Sequence, residues 1–242
     1  MGWEGDVSPK LQPAFAVMTK PFTSVTPRGV YRPRMNLRLL LVAPLMILAG
    51  SALASERGTV WEIGPEIRGK NYSVGVPSAM TDTHDGPTFV FPANSRGQVK
   101  YVTKDTGPLI DARSLTIRYR IEAAPGTRFV ANERPSSPAM LSLYFQRRGD
   151  NWSARNRYAT YRWYSVSDKT LTLAPGEHTM TINFRDDWGA VMGAQSRDNP
   201  AFEDALLNAD RIGFVFGWSG GRGHGVHATG PARFTLLDFE IR

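Results

Sequence analysis

From Val60 onward, apolar and polar residues alternate with a period of two, the spacing of strands buried on one face. The pattern predicts strands over 88–91, 97–103, 115–122, 139–147, 158–166, 170–173, 178–185, 211–218 and 233–241. A further short strand is expected near 60–63, within an otherwise loop-like stretch to residue 86. Turn signals separate the strands: Asp85-Gly86-Pro87, Ala124-Pro125-Gly126, Arg148-Gly149-Asp150-Asn151 and Ala174-Pro175-Gly176. Many short strands with Gly/Pro turns predict an all-β fold, a β-sandwich or jelly roll. One segment breaks the period. Asp198-Asn199-Pro200 places a cap residue before a Pro suited to a first helical turn, so a short helix is expected over 200–208. Phe202, Ala205 and Leu206 would share its buried face.

Several strands sort cleanly into faces. Leu115, Ile117, Tyr119 and Ile121 should point inward, leaving Thr116, Arg118 and Arg120 outside. Leu141, Leu143 and Phe145 oppose Ser142, Tyr144 and Gln146. Met180, Ile182 and Phe184 oppose Thr179, Thr181, Asn183 and Arg185. The segment 158–166 has aromatics on both faces: Tyr158, Arg162 and Tyr164 on one, Tyr161 and Trp163 on the other. One of those faces has a task beyond the core. The last strand alternates less cleanly, with Thr235, Leu237, Phe239 and Ile241 against Phe234, Leu236, Asp238 and Glu240.

Upstream of the alternating region the pattern changes. Beginning at Met35, Arg38 precedes a continuous apolar run over 39–50, and Ala52-Leu53-Ala54 forms a small-x-small site before Ser55. This is the layout of a secretory signal peptide, cleaved after Ala54. The run is too short for a spanning helix, which needs about 20 residues. No Cys follows it, which excludes a lipoprotein anchor. Residues 1–34, with five Pro and no sustained period, are expected to be either a disordered extension or a product of a start assigned too early. The expected organisation is therefore a preamble (1–34), a signal (35–54) and one β-sandwich domain (55–242), periplasmic or secreted.

Charge looks basic at first: 29 Lys+Arg against 22 Asp+Glu. Six of those cations (Lys10, Lys20, Arg28, Arg32, Arg34 and Arg38) lie in the first 54 residues, with only Glu4 and Asp6 against them. The remainder is 23 against 20, with no basic run, so nucleic acid is not an expected partner. Absence of Cys removes disulfides, thiol catalysis and Cys-ligated metals. Stability must then come from packing.

The outward positions collect Arg118, Tyr144, Gln146, Arg162, Tyr164, Asn183 and Arg185: rings among amides and guanidinium groups. A sugar suits that mixture, because its C–H face lies on an aromatic ring while its hydroxyls need planar donors and acceptors. An ordinary solvent face with cross-strand Tyr–Arg pairs would show the same residue types. The candidate contact set is these seven residues, with Trp188 at the rim.

The C-terminal stretch adds a resemblance. Trp188, Gly193, the helix from Pro200, Ile212-Gly213-Phe214-Val215-Phe216-Gly217, Gly223-His224-Gly225-Val226 and Ala232-Arg233-Phe234 resemble secreted bacterial proteins of unassigned activity. Those proteins carry a galactose-binding-like jelly roll akin to carbohydrate-binding modules. The resemblance implies a fold and a glycan-related setting, not an activity. Gly213 and Gly217 inside a strand suggest bulges or close backbone approach.

Signals for catalysis are weak. His224 and His227 stand three apart on a Gly-rich loop, on opposite sides of an extended segment, so hydrogen bonding within the loop is favoured over a metal site. Asp238 and Glu240 share a face and could form a carboxylate pair, but nothing else marks them. Loop carboxylates leave room for a structural Ca²⁺, although no spacing specifies one, and no other cofactor is expected. The leading expectation is non-catalytic binding of a glycan or polysaccharide, with no stable membrane span after signal cleavage. The alternatives are a polysaccharide lyase or glycoside hydrolase on the same face, or an envelope protein-interaction domain.

Overall fold

A computed structural model describes residues 60–166 and 168–242; the expected preamble, signal segment and cleavage site lie outside them. The strands are β1 (Glu62–Gly64), β2 (Glu66–Ile67), β3 (Lys70–Asn71), β4 (Thr88–Val90), β5 (Tyr101–Asp105), β6 (Ser114–Ala123), β7 (Phe129–Ala131) and β8 (Met140–Arg147). They continue as β9 (Arg162–Ser165), β10 (Thr170–Thr172), β11 (Gly176–Asn183), β12 (Trp188–Ala190), β13 (Ala209–Gly217), β14 (Val226–Ala228) and β15 (Ala232–Ile241). Among the described residues there is one α-helix, α1, Pro200–Leu207.

The large sheet runs β1-β5-β13-β8-β9-β12, with β10 also pairing β8. The small sheet runs β11-β6-β15-β4. All pairings in both are antiparallel. Their inner faces meet through aromatic rings: Phe214 of the large sheet stacks on Phe234 of the small one at 5.2 Å, and Phe89 meets Phe216 at 5.9 Å. The molecule is an antiparallel β-sandwich with one short helix, in line with the jelly-roll class expected.

Alternation decides the faces as expected. In β6, Leu115, Ile117, Tyr119 and Ile121 are buried. In β8, Leu141, Leu143 and Phe145 point into the sandwich, as do Val102, Trp163, Ile212, Phe214 and Phe216 of the neighbouring strands. In β15 the less regular alternation has a cause. The pairing with β6 shifts register between Leu236 and Asp238, and this bulge resets the faces. Phe234 and Leu236 are buried before it, and Phe239 packs edge-on against Trp61 after it, at 4.8 Å.

The helix starts where its cap residues place it. Asn199 accepts a hydrogen bond from the Ala201 amide at 3.0 Å, Pro200 fills the first turn, and Phe202, Ala205 and Leu206 are buried. Phe202 meets Trp163 at 4.9 Å and Phe145 at 5.7 Å, so the helix packs against the core at the β8–β9 end.

One expectation needs correction. Residues 158–166 do not form one strand. A 3-10 helix spans Asn156–Thr160 and only Arg162–Ser165 is extended. Within the expected span, Tyr161 takes helical angles (φ −88°, ψ −16°), which a continuous strand does not accommodate. Gly213 and Gly217 take the second of their two expected roles. A Cβ on Gly213 would come within 2.1 Å of the Val102 carbonyl oxygen, and one on Gly217 within 2.0 Å of that of Gly221, so both serve close backbone approach.

Candidate functional site

The outer face of the large sheet is where the sequence-predicted residues converge. Tyr144 lies directly opposite Tyr164 across β8 and β9, and Gln146 opposite Arg162. Tyr101 joins them from β5, two strands away. The three phenol rings form a row, with Tyr101–Tyr144 at 5.1 Å and Tyr144–Tyr164 at 5.3 Å. The Tyr101 and Tyr164 hydroxyls are 2.8 Å apart.

This row is not open to solvent. The loop joining β8 to β9 folds back over it. Asp150 of that loop, its side chain fully buried, sits 3.0 Å from Arg162 Nε. Tyr144 donates to Gln146 Oε1, and Gln146 Nε2 donates in turn to Asp150 Oδ2 at 3.2 Å. Asp150 Oδ1 accepts the Trp152 amide at 3.2 Å. The Trp152 indole then lies edge-on to Tyr101 at 5.2 Å and face-on to the Arg162 guanidinium at 4.8 Å, a cation–π contact. Tyr144, Arg162 and Tyr164 were expected as an open contact surface. They instead form a buried network that anchors a loop.

Burial sets the protonation of this network. It pushes the hydroxyls of Tyr101, Tyr144 and Tyr164 above the ordinary tyrosine range, so all three stay neutral. Burial also raises the Asp150 carboxyl above its usual range, opposed by the Arg162 charge beside it.

Beside the network the outer face opens into a cleft of about 580 Å³. Its floor is Tyr101, Thr103, Gln146 and Arg211 from β5, β8 and β13. One wall carries Glu62, Glu66 and Asn71, the other Asp150, Trp152 and Asp210. Arg211 bonds Glu62 across the cleft and lies 3.3 Å from Asp105. The cleft thus offers the Trp152 ring, the Asn71 amide, carboxylates and a guanidinium within one concavity, with Tyr101 and Gln146 buried beneath them.

The Trp218–Gly225 turn packs against Tyr101 of this row. Gly223, at φ +77°, leaves no room for a side chain: a Cβ there would lie 2.4 Å from the Tyr101 ring. Gly223→Ala is therefore expected to displace Tyr101 and to cost about 1–3 kcal/mol by overpacking and backbone strain. Guanidinium unfolding curves of the variant would measure it.

The other candidate residues lie elsewhere. Arg118 is on the outer face of the small sheet, opposite Thr179. Asn183 and Arg185 line a second cavity, of about 1030 Å³, beside the start of α1. Trp188 is not at a rim. It is fully buried, stacked on Phe184 at 5.4 Å with its indole N–H donated to the Asn183 carbonyl. β12, which carries Trp188, pairs with β9, and that register turns the indole toward the core, on the same side as Trp163.

Sequence reasoning missed Tyr101, Asp150, Trp152, Asp210 and Arg211. Tyr101 was within reach, since it alternates with Val102 in an expected strand. Asp150 and Trp152 fall at a turn whose path no period describes. The histidines are structural in their contacts: His227 Nδ1 lies 2.9 Å from Asn132 Oδ1 and His224 Nδ1 lies 2.8 Å from Glu133 Oε2. Among the described residues, no cluster of three His, Asp or Glu could hold a metal ion, and no helix is long and apolar enough to cross a membrane.

No known protein family and no curated protein matches the chain in sequence. Solved structures similar to it in shape include two carbohydrate-related chains. A xylan-binding module (CBM15) aligns at TM-score 0.34 and 15% identity, over 75% of this chain and 94% of its own. A xylanase from Cellvibrio japonicus, solved in complex with xylopentaose, aligns at TM-score 0.36 and 14% identity, over 76% of this chain. The chain spans 27% of that xylanase. Both likenesses are too distant to transfer a ligand, so what this chain binds has to be read from its own cleft.

Proposed function

We propose that the protein is an exported, non-catalytic glycan-binding protein whose site is the cleft on the outer face of the large sheet. The observation that carries this is the half-buried Trp152 ring, set in one concavity with the Asn71 amide, the Arg211 guanidinium and the Glu66 and Asp210 carboxylates, above a buried Tyr101. A pyranose ring presents an apolar C–H face and a rim of hydroxyls, and this lining matches both parts. Preorganisation supports the reading. Trp152 is fixed from below by Arg162 and through its own amide by Asp150, so little ordering is left to occur on binding. Export rests on the Met35–Ala54 segment alone.

The lyase alternative draws less support. A tyrosine base must give up its proton near neutral pH, and the buried tyrosines of this face hold theirs more tightly than ordinary tyrosines do.

The test is a titration of the purified protein with soluble polysaccharides, followed by tryptophan fluorescence with release of reducing or unsaturated ends assayed in parallel. Binding without release is expected. Trp152→Ala should raise Kd at least about tenfold, equivalent to about 1.4 kcal/mol, with the fold retained by circular dichroism. Chain cleavage, or a Trp152→Ala variant that binds as well as the parent, would defeat the reading.

A further inference from the structure

We propose that the cleft admits uncharged glycan chains and turns away chains bearing carboxylates; this rests on the glycan-binding reading above. The arginines of the expected contact set do not line the cleft. Arg118 is on the other sheet and Arg185 lines a different cavity. The cleft itself is lined by Glu62, Glu66, Asp150 and Asp210, with Arg211 the one cation lining it among the described residues.

That cation is already engaged, by Glu62 on one side and Asp105 on the other. Arg162 is held below the surface by Asp150 and covered by Trp152. Arg148 acts on Asp210 together with Arg211. Five carboxylates (Glu62, Glu66, Asp105, Asp150 and Asp210) therefore face three guanidinium groups (Arg148, Arg162 and Arg211). Glu66 and Asp210 have no ion-pair partner within salt-bridge distance among the described residues. Their oxygens are acceptors, suited to sugar hydroxyls. A carboxylate brought among them would meet like charge.

The experiment titrates the purified protein with neutral chains (a glucan, a mannan and a xylan) and with polygalacturonate and alginate. Each titration is run at low salt and at about 1 M salt, where the screening length falls to about 3 Å. A neutral chain should bind, with both polyuronates at least about tenfold weaker at low salt. High salt should narrow that gap, and so should the Glu66→Gln/Asp210→Asn double variant at low salt. A polyuronate that binds as tightly as the best neutral chain at low salt would overturn the proposal. So would a gap indifferent to both salt and the double variant, since the preference would then be steric. If no chain binds under any condition, the glycan-binding reading itself fails, and this proposal falls with it.

Discussion

Arg162→Ala is expected to lower the folding free energy by about 3–5 kcal/mol, because it leaves the Asp150 carboxylate buried without its counter-charge. The Asp150 side chain is fully enclosed and Arg162 is nearly so. The substitution also removes the cation that supports the Trp152 ring. Chemical denaturation should show a lower midpoint with an unchanged slope. The double variant Arg162→Met/Asp150→Asn should recover much of the loss, because removing both charges abolishes the unpaired one while Gln146 can still bond an amide at position 150. Failure of that recovery would mean that the guanidinium acts by packing rather than by charge. Glycan affinity of the single variant should fall as well, since the loop that carries Trp152 loses its anchor.

Trp188→Ala has an expected effect of similar size and a different signature. Deleting a fully buried indole stacked on Phe184 and edge-on to Phe145 removes a large apolar surface and leaves a cavity, at a cost of about 3–5 kcal/mol. The Asn183 carbonyl also loses its indole donor. Trp188 does not line the cleft. At temperatures where the variant remains folded, its glycan affinity should therefore match that of the parent. A stable variant with impaired binding would place Trp188 at the ligand after all. These two substitutions separate a residue that holds the site from one that holds only the fold.

The split between what the chain spells out and what folding adds can be seen residue by residue. Period-two alternation put Tyr144, Gln146, Arg162 and Tyr164 on outer faces before any strand order was known. The register of β8 against β9 then made them cross-strand neighbours. The helix cap at Asn199 and its buried residues were equally legible, because capping and helical periodicity act within a few positions. Trp188 was misplaced for a related reason. It follows Asp186-Asp187 in a short segment where too few residues alternate to define a face, and only pairing with β9 orients it. Arg118, Asn183 and Arg185 were correctly judged to point outward, but they belong to different regions of the surface.

The sequence by itself determined the all-β class, the turn positions, the direction of most strand side chains and the helix start, since each follows from local backbone geometry and the sidedness of burial. Only the tertiary structure decided that β5, β13 and β8 are neighbours, that the loop after β8 seals the tyrosine row, and that the open cleft beside it is acidic rather than rich in arginine. The physical reason is that a strand's period encodes which side faces the core but carries no information on which strand lies next to it. That choice is made by packing between residues far apart in the chain, such as Tyr101 with Tyr164 and Glu62 with Arg211.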